Sequence, residues 1–277
     1  MTNYKIKITK SINWDCISQI SAIIAGSRGS GKTYLLLSLI AQMGSMPALP
    51  GKLIGLGTSP TQFFLIDIKN DLAQIAPLLP HGRIGNDADS ALEVMRTFNS
   101  LMKKRLKWLR DHPQHFITAK SMGLVPYYLI IDEFSSLNMA FSGISKDEKA
   151  KKFEFNRLLK EIVLLGRSAG FGLIISSQQI SVENSGIGTD LQQNVGLKVH
   201  MGMATETAYR QTFGNDFELP QGLYLEPAQG LIWLDDPLIG NQVRSFASPW
   251  ISGDFWQILE TALKNQDSDY YLFNQFI

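Results

Sequence analysis

The chain has 277 residues, 44% of them hydrophobic and 18% charged, with Lys and Arg totalling 26 against 25 Asp and Glu, a net charge of +1. That composition supports a sizeable core and excludes a disordered polypeptide, while the near-zero balance is no global sign of a nucleic-acid partner and leaves local basic patches open. The sole cysteine, Cys16, excludes an intrachain disulfide framework and a multi-cysteine zinc site, and it fits a reducing cytoplasm.

His81, His112, His115 and His200 are scattered without metal-ligand spacing. No apolar run approaches the ~18 residues of a membrane span, and the opening MTNYKIKITK lacks the hydrophobic centre of a signal peptide. A cytoplasmic protein is expected, any membrane location coming from a partner.

In chain order, residues 20–25 are predicted as a buried strand, then a glycine-rich turn, then an apolar helix over 32–43. Residues 44–61, rich in Gly, Pro and Ser, read as a loop, and 63–68 as a second strand. Over 87–110, Leu92, Met95, Phe98, Met102, Leu106 and Leu109 recur at helical spacing. A third strand spans 127–131 and runs into Asp132 and Glu133. Residues 138–146 read as a loop, and 149–168 as a helix with Phe155, Leu158, Leu159, Ile162 and Val163 on one face. Strands follow at 171–176 and 196–202, then short antiparallel ones at 222–225, 230–234 and 242–246. Short apolar runs alternating with helices predict an α/β fold with a mainly parallel central sheet flanked by helices, the antiparallel strands lying near the C-terminus. No repeat is visible. A single domain over 1–265 is expected, with an acidic, aromatic tail over 266–277 that has no assigned role.

Gly26-Ser27-Arg28-Gly29-Ser30-Gly31-Lys32-Thr33 fits the phosphate-loop pattern G-x-x-x-x-G-K-[ST]. Its glycines let successive N–H groups turn inward and form an anion site at the start of a helix. Lys32 is expected to reach the β- and γ-phosphates of ATP, and Thr33 to ligate Mg²⁺. The apolar strand ending in Asp132 and Glu133 delivers two carboxylates to the sheet edge that carries the phosphate loop. Asp132 is expected in the Mg²⁺ shell, and Glu133 to orient or deprotonate the attacking water. The alternative is that these acids merely cap the next helix. Ser176, Ser177, Gln178 and Gln179 follow the fourth strand, where Gln178 can read the γ-phosphate or be ordinary strand-end polarity. Arg167 either complements a helix dipole or reaches a neighbouring subunit's nucleotide. The run 103–110, with Lys103, Lys104, Arg105, Lys107, Trp108 and Arg110, either contacts a phosphate backbone or is the solvated face of an amphipathic helix.

With these motifs placed, the chain resembles the motor domain of FtsK/SpoIIIE DNA translocases and their relatives in conjugative elements. Phe64-Leu65-Ile66-Asp67-Ile68-Lys69 is similar to the family's LIDPK strand, with Ile68 where proline is usual. Leu79-Pro80-His81 resembles its PHL, residues 91–108 its helix ending in a basic stretch, and residues 125–134 its LPYIVVIDEF segment. Gly166 to Gly170 resembles ARAAG, Ser176 to Gln179 the ATQ position, and residues 219–224 the stretch LLGKGDMLY. The likeness covers roughly residues 15–250; the loop at 138–152 looks longer than usual. It implies a RecA-like sheet, a homohexameric ring, ATP bound between subunits, double-stranded DNA in the channel, and Arg167 as the residue acting in trans. Competing expectations are an ATPase driving protein secretion and a nucleotide-dependent assembly scaffold.

Overall fold

The computed structural model describes residues 5–46, 60–141, 143, 145–178, 180, 189–237 and 240–274. Most of the loop expected at 44–61, and Gln179, lie outside the described residues.

Four segments, β3 (Ala22–Gly26), β4 (Gln62–Asp67), β6 (Tyr127–Asp132) and β7 (Phe171–Ser177), are buried along their whole length. Continuous apolar runs of this kind belong to parallel strands covered on both faces. With β5 (Ile84–Gly85), β8 (Leu197–Met201), β9 (Gln229–Leu234) and β10 (Arg244–Ala247) they form one sheet in the order β10-β9-β8-β3-β7-β6-β4-β5. Pairings from β8 through β3 to β5 are parallel, and β9 and β10 add antiparallel. A separate hairpin joins β1 (Lys5–Lys7) to β2 (Asn13–Asp15); one alternation per strand is too little signal for sequence reading.

One face is covered by α2 (Ala88–Asp111) and α4 (Lys146–Ala169), which pack on each other. The other carries α1 (Lys32–Gly44) and, further along the chain, Phe255–Ala262. Both long helices begin with capping boxes, Asp87 with Ser90 and Ser145 with Glu148, each satisfying two otherwise orphaned donors. The expected helix at 149–168 therefore starts three residues earlier, because the Ser145 cap was not read as one.

Two expectations fail. Residues 222–225 form no strand and run as an irregular segment before β9. Part of the loop expected at 138–146 is the end of α3 (Phe134–Ala140), whose Phe134 and Leu137 are buried; the polar Ser-Ser-Asn composition hid a short helix held by tertiary packing.

A third cluster, Tyr209, Phe213, Leu225, Leu231 and Val243, lies where α6 (Glu206–Phe213) packs beside β8, the shorter α5 (Thr189–Gln193) preceding that strand. There Thr212 donates its hydroxyl to the Ala208 carbonyl at 3.1 Å, so its oxygen accepts from His200 Nδ1 at 2.8 Å. His200 then carries its proton on Nδ1, and burial, which pushes its pKa down to about 4 from 6.5, keeps the ring neutral at pH 7. The unfolded chain binds that proton from about pH 6.5 downward, so the fold loses stability as pH falls toward 4. The expected loss is on the order of 3 kcal/mol. Urea unfolding of wild type and His200→Gln across pH 7 to 4 should show a shallower acid dependence in the variant, and parallel curves would refute the assignment.

The segment after Gln266, read as a tail, docks across the beginnings of the parallel strands. Gln266 accepts from the Phe63 N–H and Arg83, both at 2.9 Å, and donates to the Thr61 carbonyl. Tyr127 donates its hydroxyl to the Ser268 carbonyl at 2.6 Å. Arg105 is fully buried and donates to four carbonyls: Leu272 and Val125 at 2.7 Å, Ala169 at 3.0 Å and Tyr271 at 3.2 Å. It also lies over the rings of Tyr127 and Phe171. Both readings of the basic run 103–110 therefore miss its central residue: Arg105 faces inward and staples the C-terminal segment, while Lys103, Lys107 and Arg110 pair with Glu161 and Asp111.

Candidate nucleotide site

The central strand β3 ends at Gly26, and the loop to α1 is shaped by steric need. A Cβ at Gly26, with φ of 152°, would meet Met201 and the Ser30 hydroxyl at 2.8 Å. Gly31, with φ of 93°, forms the helix N-cap without side-chain help, and a Cβ there would press on the Ala228 backbone at 3.1 Å. No acid sits in the first turn of α1, so its N–H groups and dipole are left for an anion. The loop borders a cleft of about 660 Å³ lined by Ser27, Arg28, Gly29, Gly31, Lys32, Thr33 and Tyr34 on one side, and by Lys69, Asp71, Glu133 and Gln178 on the other. The sequence-predicted residues of the phosphate loop, Glu133 and Gln178 thus come together at the C-terminal edge of the sheet.

Glu133 holds φ of 52° at the N-cap of α3 but makes no side-chain cap to it, which removes the capping alternative. Its Oε2 lies 3.4 Å from both Lys32 Nζ and Lys69 Nζ. Its Oε1 accepts from the Ser135 hydroxyl at 2.5 Å, the Gln178 N–H at 3.2 Å and the Ser177 hydroxyl at 3.4 Å. Burial raises its pKa, but Ser135, Lys32, the Gln178 N–H and Lys69 outweigh that, and the carboxyl sits below its usual range. Four hydrogen bonds and the Lys69 ion pair thus hold a charged carboxylate in one orientation at the cleft.

Asp132 is buried, and its Oδ1 has no hydrogen-bond partner within the chain. Burial raises its pKa and the neighbouring Asp67 and Asp71 add to the rise; Lys32 and the nearby Ser176 hydroxyl, which is outside hydrogen-bond geometry, oppose it. An orphaned buried carboxylate oxygen beside the phosphate loop fits a divalent cation accompanying a polyphosphate, with Asp132 and Thr33 as the residues that would hold it.

Sequence reading gave no role to Lys69. Asp67 pairs in register with Asp132, and its two carboxylate oxygens accept from the Asp71 and Leu72 N–H groups at 3.1 and 2.7 Å. That turn carries Lys69 into the cleft. The available signal was an acid-ended strand beside another, followed two residues on by lysine.

Arg167 is not part of this gathering. It is exposed in the last turn of α4, at the start of β7, whereas the cleft lies at the end of β7. Seven residues of strand separate the two edges by roughly 20 Å at ~3.3 Å per residue. Within one chain it does not reach the cleft.

Strand, glycine loop, uncapped helix and paired acids in this sheet order define the fold of P-loop ATPase motor domains. In sequence the chain is similar to the FtsK domain-containing protein YdcQ of Bacillus subtilis, 25% identical over 217 residues. That match covers 77% of this chain and 40% of YdcQ, so the chain spans well under half of that relative. No family model matches. Among solved structures, the pCW3 conjugation coupling protein TcpA, with ATPγS, is similar at a TM-score of 0.67 and 20% identity over 91% of this chain and 66% of that one. The cytoplasmic domain of the type VII secretion ATPase EccC of Thermomonospora curvata gives 0.62 at 18%, over 91% of this chain and 29% of that one. EssC of Geobacillus thermodenitrificans gives 0.62 at 16%, over 92% and 44%. Among the described residues no helix is long and apolar enough to cross a membrane.

Proposed function

We propose that this chain is an ATP-hydrolysing motor that moves double-stranded DNA, working as a homohexameric ring in the transfer or replication of a mobile element. The observation that carries the ATPase reading is the meeting of Lys32 with Glu133 at 3.4 Å in a cleft bounded by the phosphate loop. Lys32 takes the β- and γ-phosphates, and the helix N–H groups hold the rest of the chain of phosphates. Glu133 then takes a proton from the attacking water. Thr33 and Asp132 would hold the Mg²⁺ that accompanies ATP, which would supply charge neutralisation. Gln178, whose backbone N–H donates to Glu133, lines the same cleft, which supports its amide as a reporter of the γ-phosphate. The DNA reading is supported by the likeness to a conjugation coupling protein and to an FtsK domain-containing protein. The chain works in the cytoplasm, with membrane or DNA-processing proteins as partners that recruit it.

The test is ATP turnover with and without duplex DNA over a range of salt. Stimulation by duplex supports the motor. Hydrolysis that duplex leaves unchanged at every salt overturns the DNA reading, and stimulation by a peptide substrate would turn it toward protein secretion. A process that survives loss of hydrolysis would point to an assembly scaffold.

Arg167 acts in trans on this reading, because its own cleft is beyond reach. Arg167→Ala is expected to bind ATP normally and lose turnover. Mixing it with Lys32→Ala protein should restore part of the activity, since an intact arginine then meets an intact phosphate loop; mixtures as inactive as either parent would refute action across subunits.

A further inference from the structure

The two lysines on Glu133 are unequal. Lys32 belongs to the phosphate loop and is 10% exposed, while Lys69 comes from the turn after β4 and is 38% exposed, yet both reach the same carboxylate oxygen at 3.4 Å. The opposite oxygen is taken by Ser135, Ser177 and the Gln178 N–H. Lys32 hydrogen-bonds Oε2 and Lys69 adds an ion pair to it, so two ammonium groups crowd the oxygen on the phosphate-loop side. An oxygen crowded by two ammonium groups is a poor proton acceptor until one of them leaves. On the function proposed above, the donor that leaves is Lys32, because an incoming polyphosphate carries more negative charge than one carboxylate and lies on the loop that bears this lysine.

We propose that Lys69 is a positioning residue for hydrolysis: it keeps hold of Glu133 Oε2 when nucleotide draws Lys32 away, so that the position Lys32 vacates, facing the cleft, is the one the attacking water takes. Nucleotide binding thereby uncovers its own base, and Lys69 fixes which way that base points. Its placement is built rather than incidental. Asp67 spends both carboxylate oxygens on the backbone of the turn that presents Lys69, and Asp67 is itself buried and in register with Asp132. Without that turn Lys69 is an ordinary surface lysine; with it, the ammonium is delivered to the carboxylate that Lys32 shares.

This inference rests on the ATPase reading, and the experiment separates the two. Steady-state hydrolysis and equilibrium binding of ATPγS are measured for wild type, Lys69→Met and Lys69→Arg. The expected result is a kcat lower by about 10- to 100-fold in Lys69→Met, the scale of a misoriented catalytic group, with KM and ATPγS affinity within about threefold of wild type. Lys69→Arg should recover most of the loss. If Lys69→Met weakens ATPγS binding as much as it lowers kcat, Lys69 is a phosphate ligand and the proposal is overturned. An unchanged kcat also overturns it. Absence of hydrolysis in wild type would instead defeat the ATPase reading and this inference with it. Independently of turnover, a double-mutant cycle of Lys69→Met and Glu133→Gln in nucleotide-free protein should give non-additive shifts of the unfolding midpoint; additive shifts would mean the two side chains are not coupled.

Discussion

Glu133→Gln is expected to lower ATP turnover by about 10²- to 10⁴-fold, the range for removing a positioned base, while ATP binding is kept or tightened. The binding half follows from the contacts. Glu133 Oε2 faces two ammonium groups and Oε1 three further donors, and a glutamine amide can accept only on one side. Whichever way it turns, an NH₂ group faces donors, and the arrangement that strains least sets it toward the lysines. Lys32 is then released from its ion pair and is free for phosphate from the outset. Single-turnover hydrolysis and titration with a fluorescent, slowly hydrolysed ATP analogue check both halves. Turnover within tenfold of wild type would mean that another group activates the water.

The second large effect concerns stability. Arg105→Met is expected to cost about 3–5 kcal/mol, the scale for leaving several buried carbonyls without a donor. Methionine fills much of the volume, but the carbonyls of Val125, Ala169 and Leu272, to which Arg105 donates, lose a donor in a site closed to water. Burial lowers the Arg105 pKa only to about 10, so the guanidinium is charged at neutral pH and its bonds are charge-assisted. Urea denaturation reads the loss, and proteolysis near Tyr270 and Tyr271 should quicken as the C-terminal segment comes free. Lys104, exposed on the same helix, supplies the contrast: Lys104→Ala should stay within about 0.5 kcal/mol. An Arg105→Met protein within 1 kcal/mol of wild type would show that the staple carries little.

What was legible in the sequence is what local chemistry dictates. The phosphate loop announces itself because its glycines, lysine and threonine act within one turn of chain. β6 was legible through its apolar run into two acids, and α2 through six apolar residues on one face. Arg105 was misread for the opposite reason: its partners lie at Val125, Ala169 and Tyr271–Leu272, and nothing within its own helix distinguishes it from the lysines around it. Lys69 escaped because its role depends on β4 lying next to β6, a pairing that sheet order fixes and spacing does not. The false strand at 222–225 and the overlooked α3 share one cause. Short segments carry too few residues for a periodic signal, so packing decides them. Arg167 was placed correctly on its helix, but only the sheet shows that it and the cleft stand at opposite strand ends.

The backbone at Glu133 carries a price of its own. Side chains with a Cβ resist its left-handed conformation by roughly 1–2 kcal/mol, and φ of 52° places this carboxylate there at the joint between β6 and α3. Glycine would relax that joint and, on the proposed function, delete the base in the same stroke. On that function residue 133 is a position where durability and turnover are opposed: the most restful backbone and a working catalyst cannot be obtained from one side chain.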